Sequence, residues 1–223
     1  HIGKRQVNVD NEGEDVTLNV SQIVWCDAKQ MGLDQSGTFD PNLSSVDDVI
    51  QTWTENINSY SYKKFTTYDK SICQYDGRRE VICSKCEEVC PTVAITKDDK
   101  TKTLTFSQID CHGCGGCISV CQSGALEYAP MNRESIYEVS KFYKETHPLI
   151  IPEKMNITNL ESFLKEGVLP LAIEGEKFLD ESSFLTLLQM SGSQVIFYSD
   201  FLSKGSKDAI RIVNDIYQKK YSK

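Results

Sequence analysis

No apolar run in this chain approaches the ~18 residues that a membrane-spanning helix needs. The longest unbroken ones, Ile23 to Cys26 and Val195 to Tyr198, are strand-sized, so no membrane insertion is expected of the residues shown. Positive charge is also scarce. Lys and Arg number 24 against 32 Asp and Glu, a formal charge of -8, which argues against nucleic acid and anionic membranes and favours a protein partner with a basic docking face. Enzyme signatures are missing too: there is no G-x-x-x-x-G-K-S/T, no G-x-G-x-x-G, no H-E-x-x-H and no G-x-S-x-G. Phosphate cradling, dinucleotide binding, zinc proteolysis and serine hydrolysis therefore have no motif to rest on. No methionine precedes His1, so nothing about a leader follows from where the sequence starts.

What the chain has in excess is cysteine. Of nine, eight lie between Cys73 and Cys121, most of them separated by two or three residues, which is metal-ligand spacing rather than a secreted disulfide scaffold. An odd count would in any case leave one cysteine unpaired. A reducing, cytoplasmic compartment is the expectation. The ninth, Cys26, follows Ile23-Val24-Trp25 and reads as a small buried hydrophobe outside the cluster chemistry.

Pattern changes along the chain predict an α+β protein in three parts. Residues 1–64 form an N-terminal α/β segment: alternating runs at Arg5 to Asp10 and Val16 to Val20 around Asn11-Glu12-Gly13 predict a hairpin. Beyond it, Val46, Val49, Ile50, Trp53 and Ile57 make a helical stripe with Ser44 as N-cap. Residues 65–131 hold an internal repeat, a cysteine triplet followed by a short β segment, with Thr92-Val93-Ala94-Ile95 matching Ser123-Gly124-Ala125-Leu126; they predict a central ferredoxin-like dicluster domain with pseudo-two-fold symmetry. Residues 132–223 alternate helix and strand signals. Ile136, Val139, Phe142 and Tyr143 share a face, Thr158 to Glu161 has capping-box spacing, Gly167 suits a helix end, and Leu149 to Ile151, Leu171 to Ile173 and Gln194 to Tyr198 read as strands. Helices at Ser183 to Met190 and around Ala209 to Ile216 complete a C-terminal small parallel α/β region. Its strand ends near Glu174-Gly175 or Ser199-Asp200 are where such a sheet would bind a ligand, although without a phosphate loop docking is the better reading.

The chemistry sits in two runs. Cys111-His112-Gly113-Cys114-Gly115-Gly116-Cys117-Ile118-Ser119-Val120-Cys121 is a full C-x2-C-x2-C-x3-C, in which three thiolates can cap one iron-sulfur cubane while the fourth is sent to a second cluster. Gly113, Gly115 and Gly116 let the loop wrap closely. The first run, Cys83-Ser84-Lys85-Cys86-Glu87-Glu88-Val89-Cys90-Pro91, has Glu80 where the first cysteine should be. Cys73 lies upstream, and the turn at Asp76-Gly77 can bring it back. Cluster one is thus expected on Cys73, Cys83, Cys86 and Cys121, and cluster two on Cys90, Cys111, Cys114 and Cys117. Glu80 as an oxygen ligand, and zinc held by cysteines with His112, are the weaker readings. The longer loop to Cys73 predicts a less rigid ligand and a more labile cluster one. The sequence shows no catalytic motif around His112 or His147, and Arg78, Arg79, Lys85, Glu87 and Glu88 read as a solvated face.

Over roughly residues 65 to 130 these motifs resemble bacterial dicluster ferredoxins. The displaced first ligand, Cys73-x9-Cys83-x2-Cys86-x3-Cys90-Pro91, is similar to ferredoxin-type proteins associated with molybdenum formate dehydrogenases, with Gln122 departing from the proline that usually follows the last cysteine. The resemblance implies two 4Fe-4S clusters and electron transport, with no reaction of its own, to or from an oxidoreductase such as a formate dehydrogenase. The alternative it leaves open is an iron-sulfur assembly or regulatory factor for such an enzyme.

Overall fold

The computed structural model describes residues 6–11, 13–19, 45–55, 57, 61–78, 80, 83–153, 155, 164–175, 177–199 and 201–221. Cys26, Ser44 and the Thr158 to Glu161 box lie outside them. At the N-terminus β1 (Gln6–Asn11) pairs antiparallel with β2 (Glu14–Asn19), Gln6 opposite Asn19, across a turn where Gly13 takes φ +92°. Helix α1 (Val46–Glu55) is capped one residue later than its sequence suggested: the Asp48 amide donates to Ser45 Oγ at 3.1 Å. Only Val49 of its apolar stripe is buried, while Val46, Ile50 and Ile57 each stay more than half exposed.

The cysteine-rich part is built from short pieces. Strand β3 (Thr66–Tyr68) pairs antiparallel with β6 (Leu126–Tyr128), and β4 (Ile95–Asp98) with β5 (Thr103–Phe106). Between them the single-turn helices α2 (Lys85–Glu88) and α3 (Gly116–Ser119) pack on one another. The first-half β segment starts at Ile95 rather than Thr92, because Val93 is left-handed at φ +56° and the chain is still turning. Gly124 holds the matching place in the second half at φ +71°.

From Arg133 onward helices cover a parallel sheet in the order β8-β7-β9. It comprises β7 (His147–Pro152), β8 (Val168–Ile173) and β9 (Ile196–Phe197), with α4 (Arg133–Ser140), α5 (Glu181–Ser191) and α6 (Lys204–Tyr221) around it. Asn132 caps α4 through Ser135 N–H, and Asp180 caps α5 through Ser183 N–H, each at 2.8 Å, so two orphan helical donors are satisfied by short polar side chains. Gly192 closes α5 in the left-handed region. Helix α4 tightens after Ser140 into a 3₁₀ turn, which leaves Tyr143 buried with its hydroxyl donating to Pro170 O at 2.8 Å. The same turn swings Phe142, expected on the buried face, out to 79% exposure.

The core does not stop at Arg133. Phe65, Ile95, Ile118, Leu126 and Tyr128 belong to one buried cluster with Ile136, Ile150, Ile173, Phe178, Leu187 and Val213. Polar ties cross the same boundary: Arg133 bridges Glu127 at 2.7 Å and Asp180 at 3.4 Å, and Lys63 pairs with Glu174 at 2.6 Å. No helix among the described residues is long and apolar enough to cross a membrane.

Candidate metal centre

None of the eight cysteines of the block is in a disulfide. In the second loop, Gly113 and Gly115 take φ +76° and +78°, conformations that cost other residues a Cβ clash. Space forbids a side chain as well: a Cβ on Gly113 would stand 2.6 Å from the Phe65 ring, and one on Gly115 would overlap Phe178. The loop is thereby wrapped tightly enough for backbone N–H groups to reach sulfur. Gly113 N–H bonds the Cys111 thiol and Gly116 N–H the Cys114 thiol, each partly offsetting the upward push of burial on its pKa. Burial, with Cys114, Cys111, Cys86 and Cys90 close by, also drives the Cys117 thiol up. Cys90, from the first run, therefore stands with Cys111, Cys114 and Cys117. The four line one cavity, walled by Thr66, Ala94, Ile95 and Phe106.

The other four thiols gather beside α2. Burial pushes the Cys86 thiol up to about 12, followed by the effect of Cys121, then Cys83, with Cys73 contributing further. Cys121, the last residue of the second run, packs against Cys73 and Tyr75. Cys73 is buried and held more firmly than the length of its loop suggested. Arg78 Nε donates to its carbonyl at 2.9 Å, and Tyr75 and Asp76 N–H point at its Sγ at 3.4 and 3.5 Å. Gly77 N–H bonds Lys102 O at 2.8 Å and the Tyr75 hydroxyl bonds Asp99 at 2.8 Å, tying the loop to the β4–β5 turn. Within the loop the buried Asp76 accepts from Tyr68 at 2.9 Å and from Leu104 N–H at 3.3 Å, and pairs with Lys70 at 2.9 Å. Glu80 is exposed. His147 is exposed, with Nδ1 3.4 Å from Gln194 O, and belongs to the far sheet.

The two groups echo each other. Cys90 Sγ lies 3.8 Å from Thr92 Oγ1, and Cys121 Sγ lies 3.7 Å from Ser123 Oγ. The donor set suits clusters better than single ions. Thiolates on one zinc, each 2.3 Å from the metal, would stand ~3.8 Å apart, and among the described residues no three His, Cys, Asp or Glu converge on one ion. A cubane takes one thiolate at each corner and leaves its sulfides to accept hydrogen bonds. The buried Tyr128 hydroxyl, close to the Gly113 carbonyl of the second loop, is a donor with no protein partner. Residues 81–125 match the family model described as the 4Fe-4S dicluster domain. The cofactors are 4Fe-4S clusters. Over 85 residues the chain is 27% identical to the hydrogenase-2 operon protein HybA of Escherichia coli O157:H7 and of Shigella flexneri, covering 37% of this chain and 24% of each relative. It thus spans about a quarter of the length of the curated relatives it matches. No solved structure matches it.

Sequence reasoning missed the part of the 4Fe-4S site contributed from outside the cysteine runs. Lys177 N–H donates to Cys114 O at 3.0 Å, its stem lies against Gly116, and its charge pulls the Cys114 thiol down. Gly175 and Phe178 press on Gly113 and Gly115. The strand-end region flagged as a ligand crevice, around Glu174-Gly175, is filled by the cysteine loop itself. The only signal was that glycine after a strand.

Proposed function

We propose that this chain is an electron-transfer module carrying two 4Fe-4S clusters, one on Cys73, Cys83, Cys86 and Cys121 and the other on Cys90, Cys111, Cys114 and Cys117. The observation that carries the reading is the exchange of last cysteines: Cys90 lines one cavity with Cys111, Cys114 and Cys117, and Cys121 packs against Cys73 and Tyr75. Each thiolate quartet can hold a cubane, and the cubane supplies a one-electron couple when bound. The protein's own part is to bury the quartets, to direct N–H and O–H groups at sulfur, and to pack α2, which carries Cys86, on α3, which carries Cys117, so that an electron can pass between clusters without leaving the fold.

The partner is an oxidoreductase. The Cys73 spacing supports a molybdenum formate dehydrogenase, and the likeness to HybA supports a hydrogenase. Protein purified or reconstituted without oxygen should hold about eight irons and eight sulfides. Its visible absorption should bleach when an enzyme of the right class is given substrate; zinc in place of iron would overturn the reading. Formate with its dehydrogenase, tried beside hydrogen with a hydrogenase, separates the two partners.

A further inference from the structure

Tyr128 ends β6, 2% exposed, and two separate parts of the chain, β3 and residues 175–178, hold it. Its strand pairs with β3, its face stacks on Phe178 with centroids 4.5 Å apart and planes within 13°, and Gly175 passes over its phenolic end. A Cβ on Gly175 would stand 2.8 Å from Tyr128 Cζ, 2.9 Å from Oη and 3.0 Å from the carbonyl oxygen of Gly113. The hydroxyl therefore lies near the Gly113 carbonyl, on the loop that carries Cys111 and Cys114 and within reach of their charges, where Gly175 leaves no room for a side chain. It makes no hydrogen bond to protein, and an unpaired buried hydroxyl is costly. Glu174, the nearest carboxylate to influence it, is occupied by Lys63, with both oxygens 2.6 Å from Nζ.

We propose that the Tyr128 hydroxyl donates a hydrogen bond to a sulfur of the cluster on Cys90, Cys111, Cys114 and Cys117, and so raises that cluster's reduction potential. The inference rests on the two-cluster reading above. A phenol has one O–H to give and a cluster sulfur accepts it. The bond strengthens as sulfur gains charge on reduction, so the reduced state is favoured. A phenol, with its ordinary pKa of ~10, keeps its proton at neutral pH.

The test is Tyr128→Phe in the full chain, which removes one oxygen and keeps the stack on Phe178. Redox titration followed by electron paramagnetic resonance should show eight irons retained, one midpoint moved to more negative potential and the other unmoved; a Cys73→Ser sample identifies which is which. In the unsubstituted protein, transfer to D2O should shift iron-sulfur stretching bands in the resonance Raman spectrum through the O–H···S bond, and Tyr128→Phe should lose that part of the shift. Eight irons with both midpoints unmoved, or both moved equally, overturns this inference alone. Zinc, or no metal, in the unsubstituted protein overturns the proposed function and this inference with it.

Discussion

Val93 and Gly124 occupy matching places in the two halves, both left-handed, yet only one carries a side chain. A left-handed L-residue costs ~1–2 kcal/mol and a β-branched one sits at the upper end, while glycine gives back roughly 0.5–1 kcal/mol in unfolded-chain entropy. Val93 is 59% exposed, so little burial is lost on replacing it. Val93→Gly should therefore raise stability by about 1 kcal/mol, read as a higher denaturant midpoint in the cluster-loaded protein. Cys73 poses the sharper question at this scale. Cys73→Ser should convert or lose the cluster near Cys86, halving iron or giving a three-iron signal, whereas Glu80→Ala should leave both centres whole. Spacing made Cys73 legible, because a missing first cysteine asks for a substitute. Nothing in the sequence marked Tyr128, whose relevance comes from a stack and a glycine contributed by a distant segment.

Among the elements, period and caps were informative where a helix stands on its own. The α5 residues read directly, and Gly192 ends them. The α1 stripe read as a helix too, but the cap fell on Ser45, since adjacent serines offer the same hydroxyl and only the backbone direction selects one. Strand ends were less legible: the left-handed Val93 delays β4 to Ile95, and propensity has no term for that. The Cys73 loop shows why length alone misleads, since the entropy argument for a loose ligand ignored Arg78, Tyr75 and Gly77, each of which spends a hydrogen bond on pinning it. At α5, burial would raise the Asp180 pKa, but bonds from Ser183 and Ser182 and the nearby Arg133 outweigh it and hold the carboxyl below its usual range. A depressed carboxyl contributes stability that is complete above its unfolded pKa of ~3.9 and is lost as pH falls through the lower folded value. Urea midpoints should then fall below about pH 4 in the native chain. Asp180→Ala should cost about 1–2 kcal/mol at neutral pH and flatten that acid slope.

Over the whole molecule the charge is -8 before metal, and two oxidised cubanes with four thiolates each take it to about -12, adding roughly -2 apiece. Association with a basic docking face should be fast at low salt. Electron-transfer rates, measured by stopped flow at limiting partner, should fall steadily as ionic strength shortens the Debye length from ~30 Å at 0.01 M to ~8 Å at 0.15 M. A rate indifferent to salt would exclude electrostatic docking. Changes of pattern in the sequence predict three parts, yet one core runs from Phe65 to Val213. Composition marks where a motif stops, not whether the surfaces on either side are buried against each other.

The contact of Gly175 and Phe178 with Gly113 and Gly115 bears on how such a chain can change over generations. Ferredoxin units are small enough to be transplanted whole between genes, but here the recipient surface is shaped to two glycines of the donor and the donor to one of the recipient. A foreign dicluster unit spliced at Arg133 would meet Phe178 with whatever side chain stands at the place of Gly115, and would need its own match to Tyr128. Fusion and recombination at that joint would rarely yield a folded product. Exchange of the cysteine block alone would therefore have to bring with it a matching segment at residues 175–178.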